Sequence, residues 1–416
     1  MLRRVACNKM KTKLPAVVAL GSALLASPSP VRGRDLNQLI SSLYGGDGIT
    51  LGTTANHHEA HFQGASSSAL DQLNQRLATD FAVFPFSSSA GSFSFAFDSD
   101  LGTFVSTTDT LGPIFAERAA TIGKGKWSVS MYGTFFEYDT FNGKSIHDLH
   151  VQGKHSKHTE GGEDPGGPNK REGFELDTLD IKVDLDASVW MVSPAVTYGV
   201  TDNLDVSALL PIVSVDMDVQ SQYRLIISPN NPTPTVHSTD PNLGAEPRND
   251  RKHGTAVGIG DLVLGAKYRF WKNDVVDLAV ATLVKFETGG EANFLGSGDT
   301  TVRPFLVASR TFRGVLWEKL AVTPHVNLGY EFNTSYIDRS AFKYIAGFDA
   351  GTQRLTLASE LLGGHGNGGE DRLDVAIGLK WSVYKQWTLA GNVILPLNNQ
   401  GLRSDVITTL GAGVTF

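Results

Sequence analysis

The chain has 416 residues, of which 19% are charged and 44 are glycine, with a formal net charge of −7 and a single cysteine. A soluble globular chain is about 25% charged, an acidic balance argues against a nucleic-acid partner, and one cysteine excludes a disulfide scaffold. Beyond the N-terminus no apolar run approaches the ~20 residues of a membrane helix. A membrane β-barrel stays open, because its hydrophobicity is hidden in alternation.

Residues 1–33 read as a secretory signal. Arg3, Arg4, Lys9, Lys11 and Lys13 form a basic region, Leu14 to Ala26 an apolar one, and Ser27 to Pro30 a break before Val31-Arg32-Gly33. Cys7 lies before the apolar region, so it is no lipoprotein cysteine and leaves with the signal. The segment carries six Lys/Arg and no Asp/Glu, so removing it turns −7 into −13.

Residues 34–125 are expected to be an N-terminal helical and hairpin segment that could serve as a plug or a periplasmic cap. Leu36 to Leu43 and Ala69 to Ala78 have apolar residues at helical spacing, and Ser66 to Ser68 offer capping hydroxyls before the second helix. Residues 91–105 read as a short hairpin, with Phe93, Phe95 and Phe97 on one face. His57, His58 and His61 have ligand-like spacing, but nothing in the stretch fixes their geometry.

From Lys126 to Phe416 the dominant period is two. Twelve strands are predicted: 126–139, 188–199, 203–217, 257–271, 275–287, 300–312, 318–331, 341–350, 353–362, 371–383, 386–397 and 405–416. Fourteen is the alternative if 91–117 joins the wall. Most exceed the ~5–6 residues of soluble strands and match the ~9–11 that cross a bilayer. The connections contain 48, 3, 39, 3, 12, 5, 9, 2, 8, 2 and 7 residues in chain order. Long and short alternate, as outer-membrane barrels do with long external loops and tight periplasmic turns. The fold expected is therefore all-β, an antiparallel transmembrane β-barrel.

The faces agree. In 371–383, Leu373, Val375, Ile377, Leu379, Trp381 and Val383 oppose Asp374, Ala376, Gly378, Lys380 and Ser382. Lipid must see apolar side chains, while a wet lumen accepts charge. Trp127, Trp271, Trp317, Trp381 and Trp387 fall near periplasmic ends, and only Trp190 near an external one, as an interfacial girdle would have it. The inward face collects the pore-lining candidates Asp205, Asp261, Lys267, Arg269, Asp277, Lys285, Glu287, His325, Lys343, Asp349, Arg354, Glu360, Asp374 and Lys380. Their alternative role is to fill the barrel with salt bridges, and several near periplasmic ends could face bulk water.

Catalytic and metal readings are weaker. His325 is the only histidine inside a predicted strand, and no Ser or Asp at a set spacing completes a catalytic group. Loop 140–187 holds His147, His150, His155 and His158, and imidazole suits zinc, copper and nickel, yet its glycines and charged neighbours favour a solvated, mobile surface loop. No catalytic residue, metal site or cofactor is expected.

Leu410-Gly-Ala-Gly-Val-Thr-Phe416 resembles the C-terminal signature of Gram-negative outer-membrane barrels, which implies that Phe416 is read by the barrel-assembly machinery. Gly112-Pro-Ile-Phe-Ala-Glu-Arg118 with Ile122 to Lys126, Val196 to Asp205, and Gly258 to Phe270 are similar to transporter-type barrels labelled "phenol meta-pathway degradation". That resemblance, over roughly 91–416, implies a cell outer membrane location and passive uptake of small solutes, aromatic or hydrophobic ones included. The expected partners are outer-membrane lipid, the assembly machinery and a small-molecule solute, with no nucleic acid. The alternatives are a lipase- or protease-type barrel enzyme, and an adhesive or structural barrel acting through its long loops.

Overall fold

In the computed structural model of the chain, the described residues are 35–45, 47–53, 59–81, 95–98, 103–106, 109–155, 176–230, 237–369, 371–384 and 386–416. The signal reading of 1–33, and His57, His58 and His158, lie outside them.

Strand pairing is antiparallel throughout. In chain order the principal strands are β1 (Trp127–Glu137), β2 (Leu149–Lys154), β3 (Thr178–Gly199), β4 (Leu204–Leu209), β5 (Ile212–Ile226), β6 (Asn249–Ile259), β7 (Leu262–Lys272) and β8 (Asp277–Phe286). They continue with β9 (Thr301–Ser309), β10 (Ala321–Asn333), β11 (Ala341–Gly351), β12 (Leu355–Gly366), β13 (Asp371–Tyr384), β14 (Trp387–Pro396) and β15 (Ile407–Thr415). Twelve of them close a barrel in the order β1-β3-β4-β7-β8-β9-β10-β11-β12-β13-β14-β15, and β15 returns to β1. The terminal pair exchanges two backbone hydrogen bonds, Trp127 N to Phe416 O at 2.8 Å and Phe416 N to Trp127 O at 2.9 Å. The twelve-strand expectation holds. The fourteen-strand alternative does not, because Phe95–Asp98 and Thr103–Ser106 pair as a two-stranded sheet of their own.

The outward face of the wall is apolar and exposed: Ile377, Leu379, Leu389, Leu410, Leu328 and Leu306 all project from mid-strand. Trp127, Trp271, Trp317, Trp381 and Trp387 are each 43–57% exposed, beside the short turns as expected. A closed barrel leaves no unpaired edge in lipid, and an apolar band with an aromatic girdle is what a bilayer requires. The chain is an outer-membrane β-barrel.

Three strands differ from expectation. The strands placed at 188–199, 203–217 and 257–271 run further, and form a sheet above the wall. Thr178–Val192 pairs with Ile212–Ile226, which pairs with β6, while β2 flanks β3. The reason lies in the faces. Lys182, Asp184 and Asp186 project outward on β3 with exposed side chains, where lipid would forbid them, so this part stands in water. Leu179, Ile181, Val183 and Leu185 on the other face are fully buried. The step from wall to extension occurs at Pro211, which has no N–H to donate. Beside it, Gly260 donates to the Pro211 carbonyl at 2.7 Å, and a Cβ on Gly260 would meet Pro211 Cγ at 2.8 Å.

What buries that apolar face is the N-terminal segment. Leu36, Leu39, Ile40, Leu43, Ile49, Leu51 and Phe62, together with Leu70, Leu73 and Leu77 of helix α1 (Gln63–Phe81), join β3 and β5 in one core. Each fully buried Leu contributes about 1.5–3 kcal/mol. The helix begins earlier than the spacing suggested, so Ser66 is not its cap. Its hydroxyl donates to Phe62 O at 2.7 Å and accepts from Ile49 N at 2.8 Å. The stretch expected as a first helix forms only short 3-10 turns, Leu36–Gln38 and Leu43–Gly45. Tyr44 locks the cap down: its hydroxyl donates to Arg248 O and accepts from Ser221, and burial pushes its pKa up to about 12. The phenol therefore stays neutral at physiological pH. This cap covers the end from which the long loops rise.

Candidate functional site

Between the cap and the periplasmic turns the chain passes through the barrel. Residues 110–122 have no regular structure, yet Leu111, Ile114, Phe115, Ala116, Glu117, Ala119 and Ile122 are all buried. A buried irregular backbone needs partners for its N–H groups, and the inward faces of the strands supply them. Glu360 on β12 accepts from Ile114 N at 2.6 Å, Phe115 N at 2.8 Å and Ala116 N at 3.1 Å. Asn327 on β10 accepts from Glu117 N at 2.6 Å and donates to Glu117 O at 2.9 Å. Thr356, Ser309 and Asp205 accept from Leu111 N, Ala119 N and Ile122 N.

Charge completes the grip. Lys267 on β7 reaches Glu117 at 2.8 Å and stands 3.9 Å from Asp205. Asp349 on β11 holds Arg118 through both guanidinium nitrogens Nε and Nη2, and also Thr110. Lys380 on β13 donates to the Pro113 carbonyl. Hydrogen bonds to charged groups are worth about 1.5–3 kcal/mol each, and breaking a buried pair by removing one partner costs about 3–5 kcal/mol. The segment is thus a plug held by side chains that alternation alone had marked as inward.

His325 sits under the plug, fully buried, 3.7 Å from both Asp349 and Glu360. Among the described residues neither ring nitrogen has a hydrogen-bonded hydroxyl, whereas a serine or threonine nucleophile requires a base within hydrogen-bond reach. Both carboxylates are committed to the plug.

Above the plug lies a cavity of about 670 Å³. Phe115 forms part of its floor, and Asn37, Gln75 and Phe294 part of its roof. Its lining mixes the apolar side chains of Leu209, Val263, Leu283, Ile345 and Leu362 with the cations Lys285, Arg303, Arg339, Lys343, Arg372 and Arg403 and the anions Glu291, Asp299, Glu331 and Asp374. The two kinds share the same strands: Val263 stands across from Lys285, and Leu362 across from Asp374. Some of these pair: Arg403 with Asp374 at 3.2 Å, Arg339 with Asp299 at 2.8 Å, and Arg303 with Glu331 at 3.9 Å. Six cations face four anions, so the cavity carries excess positive charge.

The candidate residues therefore divide. Asp205, Lys267, His325, Asp349, Glu360 and Lys380 meet at the plug, and Lys285, Lys343 and Asp374 line the cavity. Asp261 is buried at the wall-to-extension step, where it accepts from Gly289 N at 3.0 Å and Ser297 N at 2.8 Å and so ties down the loop after β8. Arg269 bonds Asn203 and the Asp202 carbonyl at a short turn. Asp277 begins β8 at the same end, Arg354 is exposed in the turn before β12, and Glu287 is exposed just past β8. Sequence reasoning missed Glu117, Arg118 and the cavity cations Arg303, Arg372 and Arg403. The first two lie in irregular chain with no period to expose them. Among the described residues, two side-chain sets could hold a metal ion: the solvent-facing His147, Asp184 and Asp186, and the buried His61, His155 and His237.

The fold and this lumen define a plugged outer-membrane β-barrel. Residues 163–344 match the family model described as "Putative MetA-pathway of phenol degradation", so the resemblance read from the sequence holds over the central strands. No relative was found among curated proteins. Among solved structures, the chain is similar to the COG4313 outer membrane channel from Pseudomonas putida F1, at 15% identity and TM-score 0.39, over 72% of this chain and 99% of that one. It is also similar to the Ralstonia pickettii toluene transporter TbuX, at 12% identity and TM-score 0.34, over 74% of this chain and 96% of that one. The barrel assignment stands on the strand pairing itself.

Proposed function

We propose that the barrel is a passive channel for uptake of small solutes, and that residues 110–122 gate it. The observation that carries this reading is the cavity of about 670 Å³ enclosed between plug and cap. Pockets for small ligands run about 300–1,000 Å³, so the space suits one small molecule. The apolar part of the lining suits an aromatic or hydrophobic solute, in line with the label of the matching family. The cations interleaved with it would steer polar or anionic groups. The plug is held by hydrogen bonds and ion pairs, so it can shift without breaking a covalent bond. A solute would enter beside the cap, dwell in the cavity, and leave past the displaced plug, down its gradient. No step needs catalysis or energy coupling.

Phe416 ends the last wall strand with its ring exposed, a position from which the assembly machinery could read it. Proteoliposomes containing the purified barrel should admit small aromatic solutes and monosaccharides faster than empty liposomes. Equal rates in both would overturn the channel reading.

A further inference from the structure

Three histidines far apart in sequence meet beneath the cap. His61 lies just before α1, His155 just after β2, and His237 in the loop between β5 and β6. All three are buried, at 6%, 7% and 2% exposure. One ring nitrogen from each lies within 4.8 Å of the others. His61 Nδ1 and His155 Nε2 stand 2.8 Å apart, and the His155 and His237 ring centroids 5.0 Å apart.

The surroundings are those of a ligand set rather than a chance cluster. Asp177 is fully buried, and its carboxylate takes His237 Nδ1 at 3.1 Å. A carboxylate on one imidazole nitrogen fixes the tautomer and directs the other nitrogen to a metal. The same carboxylate accepts from Ser228 N at 2.7 Å, so it is itself held. Phe62 packs edge-on against His155 and His237, both at 5.4 Å, and walls the site with apolar surface. Two nitrogens on a tetrahedral zinc at 2.0–2.1 Å are about 3.3 Å apart, a small outward rotation from the spacing seen here.

We propose that His61, His155 and His237 bind one divalent transition-metal ion, with zinc the best fit, and that the ion fastens the cap to the outer rim of the barrel. Three neutral imidazoles with a carboxylate behind one of them suit zinc, copper or nickel, and not calcium or magnesium, which take oxygen ligands. The ligands come from the cap, the residue just after β2 and a surface loop. One ion therefore joins three segments whose other ties include backbone bonds such as Gly52 N to Ser238 O at 2.8 Å and Ser238 N to Gly52 O at 2.7 Å. The cap roofs the cavity, so the ion would set how readily the entrance opens. This inference does not depend on the channel reading.

The test uses full-length barrel without a histidine tag, stripped with chelator and titrated with zinc chloride by calorimetry. One zinc per chain is expected. Asp177→Asn, which keeps all three ligands, should weaken binding about 10–100-fold. The triple variant His61→Ala/His155→Ala/His237→Ala should lose the site, and His147→Ala should keep it. Heat-shifted gel mobility reports whether each variant still forms the barrel. X-ray absorption on zinc-loaded wild type should show imidazole scattering, which needs no variant. Zinc should also slow hydrogen exchange at residues 59–77. No zinc bound by wild type, undiminished binding in the triple variant, or a shell of oxygen ligands alone would overturn the proposal.

Discussion

Lys267 on the barrel wall and Glu117 in the plug form an ion pair at 2.8 Å, with side chains only 10% and 6% exposed. Neither charge has bulk water to fall back on. The pair is therefore strong as a fastening and costly to break from one side.

A double-mutant cycle on this pair measures that cost. Lys267→Ala leaves Glu117 buried without its cation and should destabilise the folded barrel by about 3–5 kcal/mol. Removing both groups should recover a large part of it, because Glu117 is no longer left as an orphan and only the longer 3.9 Å contact of Lys267 with Asp205 stays broken. Denaturant unfolding in detergent or lipid gives the four free energies. Strict additivity would mean the contact carries no coupling.

The lipid-facing band predicts a different sensitivity. Ile377 projects from the middle of β13, between Ser359 on β12 and Val393 on β14. Ile377→Arg should cost about 2–4 kcal/mol in a bilayer. The same residue placed on the outward face of the extension, Asp186→Arg, should change stability by less than about 0.5 kcal/mol, since that face is solvated. Equal effects at both positions would misplace the membrane.

Cavity charge should set ion preference. Lys343 lines the cavity, and Lys343→Glu replaces one positive charge with a negative one. Reversal potentials under a salt gradient should shift toward cations relative to wild type. An unchanged reversal potential would show that ions do not pass this wall.

Phe416 should matter to assembly more than to stability. Its backbone pairs with Trp127, but its ring is exposed. Deleting Phe416 should lower the amount of folded barrel in the outer membrane of cells, while refolding of the purified chain in detergent proceeds. Equal loss in both settings would assign the residue a structural role only.

The wall was legible because lipid on one face and lumen on the other impose a period of two. That rule placed Asp349, Glu360, Lys380, Lys267 and Asp205 on the inner face. It could not say what they face. The plug has no period, so Glu117 and Arg118 carried no signal, although buried carboxylates at Asp349 and Glu360 demanded donors from somewhere. The extension failed for the opposite reason. Thr178 to Ala187 alternates strictly, but its outward Asp184 and Asp186 cannot meet lipid, so a period of two read as bilayer-crossing wall does not extend to this stretch. The histidine site needed tertiary contact between residues 61, 155 and 237, which spacing along the chain cannot reveal.

The central claim is that residues 110–122 gate a passive pore, and single-channel recording of wild type beside Glu360→Ala tests it most directly. The substitution removes the acceptor for Ile114, Phe115 and Ala116 N–H groups, loosening the plug by about 1.5–3 kcal/mol for each charged hydrogen bond lost. The account predicts small or rare openings in wild type and larger or more frequent ones in the variant, with the barrel still folded by gel mobility. Folded protein of both kinds giving no conductance, or identical conductance, would contradict it.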